Sequence, residues 1–153
     1  MPERIALDDV LADGRLKRHQ PSAAETRDLL AVADRHLRDA SLSELSYDGR
    51  FAAAYGAVLA LASIVIGASG YRVGRVPGHH RLTIDLLPVL VGAHEGGRAS
   101  YFDACRRKRN QADYERAGAV TTAEVDALTE AAAEFRQDVL KWLESDHPLL
   151  ASG

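Results

Sequence analysis

Between residues 51 and 71 the chain carries no charged side chain, and no other feature limits the fold as strongly. The segment is mostly Ala, Gly and Ser around a short Ile64-Val65-Ile66 block, so it has no polar face. A helix that is apolar all round either crosses a membrane or runs through the middle of a bundle. Its length just suffices for a bilayer. No second such segment and no basic flank accompany it, so a central bundle helix with no membrane role is expected. Asp48 is the natural N-cap and Ser69-Gly70 the stop.

Other helices are arranged around this one. Residues 1–21 form a charged N-terminal arm, unlike a signal peptide. It ends at Gln20-Pro21, where proline blocks helix continuation. Ile5, Leu7, Val10, Leu11 and Leu16 predict that the arm lies on the domain. Ser22 followed by Glu25 is a capping-box pattern. The helix it opens has Leu29, Leu30, Ala33, Leu37 and Ala40 as its apolar stripe. After the central helix, Gly74, Pro77 and Gly78 mark residues 71–81 as a loop that carries His79-His80. A short helix over residues 83–93 contains Pro88, which should kink or split it. A fourth helix spans 99–116 and stops at Gly118. A fifth opens at Thr121 or Thr122 and runs through Val125, Leu128, Phe135 and Trp142 to about Asp146. The sequence therefore predicts an all-α fold, a single up-and-down bundle of about five helices over residues 22–146, followed by a C-terminal tail, 147–153. At 153 residues the chain suits one such core.

A net charge of −3 argues against a general affinity for nucleic acid, so any basic function must be a local patch. The single cysteine excludes an intrachain disulfide and a cysteine-rich zinc cage, and suits a reducing cytoplasm. The patch lies in the fourth helix, where Arg106, Arg107, Lys108 and Arg109 are consecutive. At about 100° per residue, Phe102, Cys105, Arg109 and Ala112 share a face, which puts Arg109 on the apolar stripe. An arginine buried there without compensation costs several kcal/mol, so it must meet a carboxylate, line a cleft or face a phosphate. Asp113, four residues on, is one possible partner. Asn110 and Tyr114 share a face beside Arg106, where an amide, a phenol and a guanidinium can hold a phosphate or fix a neighbouring helix. Arg106, Arg107 and Lys108 also read as a solvated face. His79-His80 lacks a second ligand cluster, so neither a metal site nor a cofactor is expected. Cys105, on the apolar stripe, reads as an inert buried thiol. No nucleophile elbow or phosphate-binding glycine loop occurs.

Three segments, Asp48-Gly49-Arg50-Phe51-Ala52-Ala53-Ala54-Tyr55, Gly70-Tyr71-Arg72 with Gly78-His79-His80, and Arg106-Arg107-Lys108-Arg109-Asn110-Gln111-Ala112-Asp113-Tyr114, together resemble the HEPN superfamily of small helical bundles. The likeness covers roughly residues 22–143 and is most specific in the last segment. Many members of that family are metal-independent ribonucleases. In them an arginine, often followed by a polar residue, precedes a histidine by four to six positions, and two protomers join these motifs across a dimer interface. The resemblance implies a homodimer with Arg109 as the arginine and Asn110 as the polar residue. The histidine is missing: the fifth position after Arg109 is Tyr114, and Glu115 and Arg116 follow it. A phenol with a pKa near 10 is a poor base at neutral pH.

The expected function is therefore RNA or nucleotide binding at a degenerate site formed by Arg109, Asn110 and Tyr114. Arg106, Lys108, His79 and His80 would attract phosphate, and Asp48 or Asp113 would orient Arg109. One alternative is a metal-independent endoribonuclease toxin of a toxin–antitoxin or defence system, with an antitoxin partner and an imidazole from His79 or His80. Another is a non-catalytic bundle that partners a nucleotidyltransferase. In a third, Arg109 is purely structural, buried against Asp48 or another carboxylate.

Overall fold

Side-chain oxygens set the starts of three of the four long helices. The computed structural model describes residues 5–114 and 118–151, with the backbone alone at 112–114. In chain order the elements are α1 (Leu7–Ala12), β1 (Leu16–Arg18), α2 (Ala23–Ala40), α3 (Tyr47–Ala68), β2 (Tyr71–Val73), α4 (His79–Asp85), α5 (Leu87–Leu90), a 3₁₀ turn at Ala93–Glu95, α6 (Gly96–Tyr114), α7 (Thr122–Asp146) and α8 (Pro148–Ala151). The Ser22 hydroxyl accepts the Glu25 N–H at 3.1 Å and opens α2. Thr121 and Glu124 cap α7 reciprocally. Ser46, not Asp48, caps α3, accepting the Gly49 N–H at 3.0 Å. Asp48 thus lies inside the first turn of α3, where a carboxylate still favours the helix dipole.

The segment without charge is the core helix. Phe51, Ala54, Tyr55, Ala57, Val58, Leu61, Ala62 and Val65 of α3 are buried against α2, α6 and α7. Full burial of a Leu or Val side chain contributes about 1.5–3 kcal/mol, and the alanines between them let neighbouring backbones approach closely. By length and composition α3 would pass as a membrane span, but 67% of its apolar window is enclosed by the protein. Across the core from α3, Phe102 of α6 packs on Phe135 of α7 with ring centroids 5.3 Å apart. Two arginines cross-tie the long helices. Arg136 Nε donates to Asp34 Oδ1 at 2.6 Å, and Arg98 reaches both Glu95 and Asp138 with its guanidinium over the Phe135 ring.

The fold is mostly helical, as expected, but it departs from a plain five-helix bundle in two places. The N-terminal arm folds into α1 and β1, and β1 pairs antiparallel with β2 in the register Leu16↔Val73, Lys17↔Arg72 and Arg18↔Tyr71. Residues 71–81 are accordingly strand and helix start, not loop throughout. Gly70, at φ +97°, takes the left-handed conformation that turns the chain from α3 into β2. Val10, Leu16, Ile66, Leu82 and Leu86 form a second, smaller core beneath this ribbon. Pro88 splits the third helix into α4 and α5, one of the two outcomes expected of it, sitting in the first turn of α5 where its missing N–H is tolerated.

Candidate nucleic-acid interface

The buried face of α6 is Ala99, Phe102 and Cys105, and Arg109 follows on the same stripe, half-buried. Its guanidinium lies over an aromatic ring, with Cζ 5.6 Å from the centroid of Tyr55 in α3. A cation over a partly desolvated ring gains about 0.5–2 kcal/mol, which offsets part of the cost of removing the charge from water. Tyr55 is 1% exposed and its hydroxyl has no hydrogen-bond partner. Burial pushes its phenol well above the usual range, so it stays protonated.

The same ring is met edge-on by His80 of α4, centroid to centroid 6.1 Å, and His79 meets His80 edge-on in turn at 4.3 Å. Three elements thereby gather Tyr55, His80 and Arg109, which the sequence places far apart. Burial lowers the His80 pKa below its ordinary 6.5, and the His79, Arg109 and Arg106 charges lower it further. The imidazole is therefore neutral at pH 7, with one nitrogen able to accept a proton. His79 Nδ1 is 2.9 Å from the Val76 carbonyl, which anchors the start of α4. Nearby, burial raises the carboxyl of Asp85 despite the opposing charge of Arg81.

The remaining cations of the run are engaged elsewhere. Arg106 Nε donates to Asp103 Oδ1 at 2.8 Å, and Arg107 Nε lies 3.8 Å from the other oxygen of Asp103. Lys108 Nζ lies 3.4 Å from Glu124 Oε2 in the first turn of α7. Asn110 borders a shallow surface depression with Ala104, Arg107, Lys108 and Gln111, on the outer side of α6. Asp48, expected to orient Arg109, accepts the Gly118 N–H through Oδ2 at 2.7 Å and ties the start of α3 to the segment after α6. The side chains of Asp113 and Tyr114 lie outside the described residues. Cys105 is buried, and burial pushes its thiol up to about 11, too high for a thiolate at neutral pH.

Two features escaped the sequence reading. Tyr55 lies within an apolar helix, and nothing local in the sequence marks it as the platform for Arg109. The second feature is a cleft of about 590 Å³ between α2 and α3, walled on the far side by β2 and the start of α4. Four of the six histidines, His19, His36, His79 and His80, line it. Lys17-Arg18 and Arg72 were visible as charges, but only strand pairing brings them together.

No protein-family model, curated protein or solved structure significantly matches the chain.

Proposed function

We propose that this chain is a HEPN-like bundle that dimerises and binds RNA or a nucleotide at the α4–α6 face centred on Arg109. The observation behind this reading is the convergence of Arg109, Tyr55 and His80 from three separate elements. A guanidinium held on an aromatic ring keeps its donor fork oriented at little entropic cost, and such a fork matches a phosphate. His80 adds a neutral group that can donate or accept. Arg106 and Lys108, partly neutralised by Asp103 and Glu124, contribute a weaker and salt-sensitive attraction.

The test is retention of RNA in EDTA by wild type, Arg109→Ala and Tyr114→Phe, with light scattering to establish the dimer. Arg109→Ala is expected to weaken retention by about tenfold or more, the scale of a charge-assisted hydrogen bond. Equal retention by a folded Arg109→Ala protein would sink the reading.

One observation favours a second reading, a metal-independent ribonuclease: the His80 imidazole, kept neutral by burial, meets the same Tyr55 ring that carries Arg109. In that reaction His80 takes the proton of an RNA 2′-hydroxyl, and the 2′-oxygen attacks the adjacent phosphorus. The bond from phosphorus to the 5′-oxygen breaks, the departing oxygen takes a proton from solvent water, and Arg109 stabilises the charge on the phosphoryl oxygens. Cleavage in EDTA that disappears in both Arg109→Ala and His80→Asn would establish it. Intact RNA with undiminished binding would exclude it.

A further inference from the structure

We propose that the cleft between α2, α3 and α4 is a second site, which binds a nucleoside monophosphate, free or at the end of an RNA. The base would lie on the cleft floor and the phosphate at the mouth formed by Arg72 and Arg75. At about 590 Å³ the cleft has the size of small-molecule sites, and Leu29, Val32, Leu59 and Ile64 give it an apolar floor. Its three aliphatic hydroxyls favour a ligand that donates hydrogen bonds. Thr26, Ser63 and Thr83 donate their protons to the carbonyls of Ser22, Leu59 and His79 at 3.3, 2.9 and 2.8 Å. What they have left for a ligand is lone pairs.

A flat molecule with apolar faces and N–H groups at its edge satisfies these acceptors, and a nucleobase is such a molecule. An acyl chain would strip water from them and return nothing. His36 adds a ring to the lining, held so closely over Gly56 that a Cβ there would come within 3.0 Å of it. Glu25, the acidic residue of the lining, is held by His19 at 2.8 Å.

The mouth supplies the charge. Lys17 and Arg72 stand directly opposite each other in the ribbon, an arrangement that like charges disfavour. Among the described residues neither these two nor Arg75 has an ion-pair partner. A bound phosphate would relieve that repulsion. The proposal shares nucleotide chemistry and the His79–His80 pair with the reading of the α4–α6 face, but its anchoring cations and cleft hydroxyls are different side chains.

The experiment is calorimetric titration of the full chain with AMP, 5′-phosphorylated oligoadenylate and inorganic phosphate, in wild type, Arg72→Gln/Arg75→Gln and Ser63→Leu. Circular dichroism would check the fold of each variant. Ser63→Leu places a side chain in the cleft, and the double variant removes the charge at its mouth. Each is expected to weaken AMP by about tenfold or more, as losing charge-assisted contacts or the base pocket requires. Binding of oligoadenylate as tight as that of AMP would identify an RNA end as the source, and weaker binding a free nucleotide. AMP affinity unchanged in folded Ser63→Leu, inorganic phosphate binding as tightly as AMP, or no AMP binding by wild type would each overturn the proposal. RNA retention that depends on Arg109 without any AMP binding would remove the cleft site and leave the α4–α6 reading standing. AMP binding sensitive to Ser63→Leu without RNA retention would do the reverse.

Discussion

Arg106, Arg107 and Lys108 on α6 each reach a carboxylate, whereas Lys17, Arg72 and Arg75 on and beside the ribbon reach none among the described residues. The first group is conspicuous in sequence and partly neutralised in space. The second is dispersed in sequence and concentrated in space. The difference has a local cause. On a helix, a cation finds residues three and four positions away, so Asp103 serves both Arg106 and Arg107. On a two-stranded ribbon the neighbours come from the partner strand, and register puts Arg72 opposite Lys17 whether or not their charges agree. A dense charge run is therefore a poor measure of the field that a ligand meets.

Removing the platform under Arg109 should have the largest effect. Tyr55→Ala empties a core position and is expected to cost about 3–5 kcal/mol in urea denaturation. Tyr55→Phe removes only a buried hydroxyl without a partner and should leave stability unchanged or raise it by about 1 kcal/mol. A loss from Tyr55→Phe as large as that from Tyr55→Ala would mean that the hydroxyl has a partner after all.

Asp103→Asn is the way to make α6 resemble the ribbon. It releases Arg106 and Arg107, so RNA retention should strengthen severalfold and depend more steeply on salt. The stability cost should be about 1–3 kcal/mol, since only about a fifth of each side chain of the Arg106–Asp103 pair is exposed. Unchanged retention would show that these arginines do not face the ligand.

Acid should act on the histidines. His36 and His80 both have pKa values below the ordinary 6.5, chiefly through burial, with Arg35 adding to the effect at His36 and His79, Arg109 and Arg106 at His80. The unfolded chain therefore binds protons more readily, so their contribution to stability is complete above pH 6.5 and declines as pH falls below it. Melting temperature should drop between pH 7.5 and about 5.5, and drop less in His36→Asn/His80→Asn. Asp85, whose carboxyl is pushed up by burial, works in the opposite sense at more acid pH.

The smallest effect belongs to the ribbon. Lys17→Glu turns a like-charge cross-strand pair into an opposite-charge one and should stabilise by about 0.2–1 kcal/mol while weakening AMP binding. Tighter AMP binding would show that the ribbon cations do not hold the phosphate.

What was legible in the sequence follows from the range of the interactions involved. Ser22, Thr121 and the apolar stripe of α2 act within one or two helical turns, so α2 and α7 could be read directly. So could Pro88 as a break and Arg109 as a cation on the wrong face. Asp48 is the cap expected for α3 and Ser46 the one found, because both side chains are good caps and only backbone geometry separates them. The ribbon escaped because strands of three residues leave no alternating pattern. The neighbourhood of His80 and Tyr55 escaped for a similar reason, since it depends on how α4 leans against α3. As for the site, the arginine was visible and its surroundings were not.

The pairing of Lys17 with Arg72 spans 55 residues of chain, while α2 and α3 form a hairpin from neighbouring segments. Closing the longer loop carries the larger entropic cost and is rewarded later. During synthesis the first strand emerges with no partner, and it stays so until the whole helical hairpin and the second strand have followed it. The cleft wall and the seat of His79 and His80 are therefore among the last parts of this fold to be finished, and residues 16–18, although made well before their partners, complete them.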